Sequence, residues 1–168
     1  GTPLAETAAG AFLRLTAAMA AVDFAPVSVL AALKHPLAAL GYEPPALRAL
    51  ARRLETAKVL RGIRPAPGIA GLRAALAHVD GAGPLVELVD RLAQATEPFV
   101  EQLEAKETDL TTLAAAHLRL AEAMAADADT GGAERLWAGE DGEAHRAGAA
   151  LLLLLAPGRG RRGRRLRG

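Results

Sequence analysis

The chain has 168 residues, room for one domain, and 51% of them are hydrophobic, enough material for a core. Most of that material is Ala and Leu with only 3% aromatic residues, a balance that favours helices over sheets, and the absence of Cys excludes disulfides, thiolate metal sites and cysteine nucleophiles within these residues. The net charge of +1 is segregated: residues 1–79 carry nine Lys/Arg against four Asp/Glu, residues 80–145 four against fifteen, and residues 146–168 seven Arg and no acid.

In chain order, a first helix is expected over Leu4–Val22, where Ala8, Phe12, Leu15, Met19 and Val22 recur at three- and four-residue steps. Asp23 and Phe24 end it, and Pro26 suits the first position of a second helix bearing Val27, Val29, Leu30 and Leu33. Pro36 disfavours helical backbone at His35, so this helix breaks there, and Gly41 marks the next turn. Pro44 opens a third helix to about Leu60, with Leu47, Leu50, Leu54 and Ala57 inward and Gly62 as C-terminal cap. Arg64–Gly68 holds two prolines and reads as a stiff connector, followed by a short helix with Ile69, Leu72, Leu76 and Val79 on one side.

Gly81–Pro84 is the next break. Leu85, Leu88, Val89 and Leu92 then trace an amphipathic helix that Pro98 should kink or restart, with Phe99 and Leu103 continuing the stripe. Asp109 caps a helix over Leu110–Ala126 that carries Leu113, His117, Leu120 and Met124 in register. Asp127–Gly132 is a polar loop, and Gly139–Glu143 starts a last helix in which Glu140, Asp141 and Glu143 favour the helix dipole. The Leu151–Leu155 run lacks amphipathic period, and the apolar stretch around it, Ala147–Pro157, is about half the ~20 residues a membrane span needs. Gly158–Gly168 is almost wholly Arg and Gly, with little to bury, and is expected to be disordered. The fold class expected is all-α: an irregular bundle of about six to seven short amphipathic helices over 1–147, then an Arg/Gly-rich tail over 148–168.

Catalytic patterns are missing. No Gly-rich turn ends in the Lys-Ser/Thr of a P-loop. Gly158, Gly160 and Gly163 match the letters of the dinucleotide fingerprint but lack its strand, helix and distant acid. His35, His78, His117 and His145 are too dispersed for a local metal pair, and His117 reads as a partly buried structural residue. Asp127 and Asp129 read as solvated loop acids rather than Mg²⁺ ligands. Ser28 is the only serine and has no His or acid at a telling spacing. No catalytic, metal or cofactor-binding residue is therefore assigned.

The remaining signal is basic. Arg48, Arg52, Arg53, Lys58, Arg61, Arg64 and Arg73 are offset between positions 48 and 73 only by Glu55. Such a surface binds phosphate backbones in a salt-sensitive, sequence-independent way, although no aromatics are interleaved for base stacking. Ion pairing and solvation are the other reading of the same charges. The candidate DNA contacts are Lys34, Arg48, Arg52, Arg53, Arg61 and Arg64.

Thr7–Leu15, Phe24–Ala38, Leu60–Leu72, Leu113–Ala125 and Arg135–Glu140 succeed one another in an order and spacing that resemble the central helical region of bacterial AddB, the second subunit of the AddAB helicase–nuclease. The Leu33–Leu37 element also looks like the short proline-ended helix in the accessory 2B-type domain of related helicases. The resemblance covers roughly residues 2–145. It implies a helical brace around a DNA path, with double-strand ends and an AddA-like helicase subunit as partners, in the cytoplasm and without a membrane. ATP, Mg²⁺ and an iron–sulfur cluster follow from the resemblance only for other parts of such a complex, because neither the acidic nuclease motif nor the cluster cysteines occur here. The tail departs from that family, where an amphipathic helix is expected after Glu143, and its Arg/Gly/Leu/Pro string reads as an out-of-frame product of GC-rich coding sequence. The rival reading is a stand-alone helical protein-interaction module.

Overall fold

Turns and caps pair many of the backbone N–H groups that the helix ends leave free, some with carbonyls and some with side chains, and those pairings mark where several helices stop. The computed structural model describes residues 3–59, 65–138 and 146–148. Among them are seven α-helices and no strand, so the fold is all-α. The Leu60 end of the third helix, the Gly62 cap, the Gly139–Glu143 helix start and the expected disordered tail lie outside the described residues.

A 3-10 turn, Leu4–Glu6, precedes α1, Ala8–Ala21. Thr7 caps α1: its Oγ1 accepts from Gly10 N at 3.1 Å and donates to Leu4 O at 2.7 Å. A Cβ on Gly10 would lie 1.9 Å from Leu4 O, so the tight entry turn requires glycine. The expected stripe overreaches at both ends, because Ala8 is exposed and Val22 is 48% exposed. The helix stops in a Schellman arrangement, with Phe24 N donating to Met19 O at 2.9 Å and Asp23 N to Ala20 O at 3.1 Å. Asp23 holds the left-handed position usually given to glycine, φ 50°, and Phe24 follows at φ 51°, which turns its ring into the core.

Helix α2, Pro26–Leu33, has Pro at its first turn and ends before Pro36 as expected; Val27 alone of its expected apolar set stands out in solvent. His35 stacks on Phe12 with ring centroids 5.0 Å apart. The chain then caps the far end of the bundle. Ala39 N and Leu40 N both donate to Met124 O, at 2.9 and 3.0 Å, and Gly41 N donates to Ala126 O at 2.7 Å. These bonds satisfy carbonyls that a helix C-terminus leaves unpaired.

Helix α3, Pro44–Leu54, buries Leu47, Ala51 and Leu54, and passes into a wider π-turn at Glu55–Val59. Helix α4, Gly68–Leu76, buries Leu72 and Leu76 and is tied to the α1 exit by Gly68 N donating to Asp23 O at 2.6 Å. Helix α5, Gly83–Glu104, runs unbroken through Pro98. That corrects the expected restart. The carbonyl deprived of its donor belongs to Gln94, and both Gln94 and Pro98 are exposed, so water can serve it. Thr96 Oγ1 donates to Leu92 O at 2.8 Å on the buried side.

Helix α6, Leu110–Ala125, is the hub on which α1, α5 and α7, Gly132–Leu136, all pack. Asp109 caps it as expected, its carboxylate accepting from Thr112 N at 2.9 Å. Ala114, Ala116, Ala121 and Ala125 are buried along α6 and let neighbouring backbones approach closely. At Gly132 the approach is closest: a Cβ there would lie 1.6 Å from Glu122 O. One core unites Phe12, Met19, Leu33, Leu54, Leu88 and Leu120 with their neighbours.

Candidate nucleic-acid interface

Helix α3 is strongly amphipathic because its inward residues are Leu and Ala while Arg48, Arg52 and Arg53 lie around the rest of its circumference. All three arginines are exposed. Arg48 and Arg52 are one helical turn apart and therefore share a stripe. Neither has an acidic partner within ion-pair distance among the described residues. Arg53 points to the turn before α5, where its Nη2 is 3.4 Å from Gly81 O.

The other members of the basic set are placed differently. Lys34, at the end of α2, donates to Glu55 Oε2 at 2.5 Å, so the single acid of that stretch is already engaged. Arg73 on α4 is held by Asp90 of α5, with Nε and Nη2 at 2.9 and 2.7 Å from one carboxylate oxygen. Arg61 and Arg64 lie outside the described residues, as does the Lys58 side chain. The structure thus gathers Arg48, Arg52 and Arg53 on one helix and brings Lys34 beside its far end through Glu55. As charges able to receive a phosphate, the α3 arginines stand freest; Lys34 would have to share its acid.

An open cleft of about 630 Å³ lies between α4 and α5, lined by Asp23, Ile69, Arg73, Asp90, Thr96 and Glu97. Its one cation is paired and the rest of its charge is negative, so it does not suit a phosphate. Among the described residues no group of three or more His, Cys, Asp or Glu side chains converges as a metal site. No helix there is long and apolar enough to cross a membrane.

His117 is 5% exposed. Its Nε2 lies 3.0 Å from Thr16 Oγ1 and 3.1 Å from Leu13 O, and its ring packs 5.3 Å from that of Phe99. Burial lowers its pKa, opposed by the bond to the Leu13 carbonyl. A neutral ring with its proton on Nε2 fits both contacts, with Thr16 Oγ1 donating in turn to Leu13 O at 3.0 Å. The ring bolts α6 to α1, which agrees with the structural reading of its position in the stripe. Asp127 is likewise occupied: it accepts from Asp129 N, Thr130 N and Arg135 Nη1 at 2.9, 2.7 and 2.8 Å. Those bonds, the backbone ones foremost, hold its pKa down.

Two features escaped sequence reasoning. Arg91 lies 4.1 Å from the centroid of the Tyr42 ring, a contact between α5 and the loop before α3 that no local spacing announces. Glu122 Oε1 accepts from both Trp137 Nε1 and Arg146 Nε at 2.9 Å, which draws residues 146–148 onto α6. Comparison with models of protein families, with curated proteins and with solved structures gave no match for this chain.

Proposed function

We propose that this chain is a non-catalytic helical segment of an AddB-like subunit of an ATP-dependent helicase–nuclease that processes DNA double-strand breaks for recombinational repair. In this reading it braces the DNA path or an AddA-like partner subunit, and the chemistry that uses ATP, Mg²⁺ or an iron–sulfur cluster belongs to other parts of the assembly. The reading rests on the succession of sequence elements described above. The observation that carries the DNA contact is the pair Arg48 and Arg52, exposed one turn apart on α3 with no acid beside them among the described residues. Guanidinium groups so placed exchange condensed counterions for protein charge along a phosphate backbone.

Duplex-end binding measured against salt concentration tests it. Each phosphate contact contributes about 0.9 to the log–log slope. Arg48→Ala, Arg52→Ala and Arg53→Ala together are expected to flatten the slope by up to about 2.7 and weaken low-salt binding at least ten-fold. Unchanged slope and affinity would sink the DNA contact. A stand-alone protein-interaction module is the second reading, and the exposure of Leu103 on α5 and Leu110 on α6, 44% and 40%, favours it.

A further inference from the structure

The only charged residues within α3 are arginines. Arg48 and Arg52 stand exposed one turn apart, with no acid in ion-pair distance among the described residues. Pro45 and Ala49, exposed on the adjoining stripe, are too short to hold another surface away. Of the acids at the ends of this helix, Glu43 precedes it and Glu55 is held by Lys34. The cleft between α4 and α5 is the complement of that face. Phe24, Ile69 and Val100 give it an apolar lining, and its charges are Asp23, Arg73, Asp90 and Glu97. Arg73 is engaged by Asp90. The exposed carboxylates of Asp23 and Glu97 have no Lys or Arg in ion-pair distance among the described residues. Glu101 adds a further exposed acid one turn along α5. The α5 cations do not compensate: Arg91 is paired with Glu87, and the exposed Lys106, past the end of the helix, makes no ion pair with either acid.

We propose that this cleft receives Arg48 and Arg52 of a second copy of the chain, so that copies join through α3 of one and the α4–α5 cleft of the other. The chemistry of the two surfaces matches. An arginine lays its apolar stem along Phe24, Ile69 and Val100 and offers its planar fork of N–H donors to the carboxylates of Asp23 and Glu97. The charge of the chain as a whole favours the same partner: nine Lys/Arg stand against four Asp/Glu up to residue 79, and four against fifteen over residues 80–145. Opposite potentials on two parts of one molecule steer a basic part of one copy towards an acidic part of the next. Neither side gives up an existing ion pair to make the contact. One helix face in one open cleft is a small contact, so the association is transient and sensitive to salt. It does not rest on the DNA reading, although both draw on the same arginines, and a copy engaged in this way withholds them from a phosphate backbone.

Sedimentation of the full chain over a range of concentrations tests the contact. The average mass is expected to rise above that of a monomer at low salt. Raising the salt from about 0.01 to about 0.1 M shortens the screening length from about 30 to about 10 Å and should weaken assembly at least about ten-fold. Two variants each remove one side. Arg48→Gln with Arg52→Gln neutralises α3, and Asp23→Asn with Glu97→Gln neutralises the cleft; Asn suits the left-handed backbone at position 23, so that turn is kept. Each variant alone is expected to stay monomeric. Mixed in equal amounts they retain one intact α3 and one intact cleft between them, so they should pair and stop at two chains. A parent that is monomeric throughout, a variant that assembles as the parent does, or a mixture that stays monomeric or grows past two chains overturns the proposal. Duplex binding separates this contact from the DNA reading. The cleft variant keeps its α3 arginines and should bind duplex at least as tightly as the parent while losing assembly. Loss of DNA binding and of assembly together in that variant also overturns the proposal.

Discussion

His117 joins three helices through one ring: α6 carries it, α1 supplies Leu13 and Thr16, and α5 supplies Phe99. Because burial lowers its folded pKa, the unfolded chain binds a proton more readily as pH falls through about 6.5, the unperturbed value. Its neutral, buried state therefore stabilises the fold above that pH and progressively less below it. One proton sets the upper limit of the slope at about 1.4 kcal/mol per pH unit. His35, half-buried against Phe12, adds a weaker contribution of the same sign. Asp109 and Asp127 act in another window: their pKa values are lowered by the backbone and side-chain donors that cap them, so their contribution is lost only below about 3.8. Urea unfolding at pH 7.5 and 5.5 separates the two. His117→Gln is expected to lower stability at pH 7.5 and to flatten the loss between the two pH values; an equal loss in both proteins would place the effect elsewhere.

Helices here end by capping and turning more than by composition. Asp109 was recognisable as a cap because it precedes an apolar-periodic run, and the structure shows its bond to Thr112 N; the cap at Thr7 was missed, because the first helix was expected to start at Leu4. Pro98 was misleading for a physical reason. Proline weakens a helix locally, but the buried stripe on both sides of it keeps α5 helical across the gap, and the exposed Gln94 leaves the freed carbonyl within reach of water. Pro98→Ala should restore the missing donor and raise the midpoint of thermal unfolding, by a stabilisation of about 1–3 kcal/mol after the unfolded-state entropy of proline is subtracted. A variant no more stable than the parent would mean that α5 is already relaxed around the proline.

At the scale of the molecule, α6 decides the arrangement, since α1, α5 and α7 all pack on it and the loop before Tyr42 closes its C-terminus. Leu120 lies at that centre, 2% exposed. Leu120→Ala removes a buried isobutyl group and is expected to cost about 2–5 kcal/mol, read by denaturant titration. The loss should appear in one cooperative transition, because basic and acidic halves share this core. Two separate transitions would show instead that the halves fold independently.

The sequence by itself determined the helical class, the order of the helices, the cap at Asp109, and the inward stripes of α3, α5 and α6. These follow from neighbours three and four residues apart, which any single helix brings together. It also marked out the arginines of α3, since nothing in that stretch except Glu55 offsets them. Only the tertiary structure decided that Glu55 goes to Lys34, that Asp90 takes Arg73, and that Leu103 and Leu110 end uncovered while Phe99 and Ala114 do not. Those outcomes depend on which helix packs where and how far its cover extends, and pairings across 17 to 21 residues of chain leave no periodic trace in the residues between them.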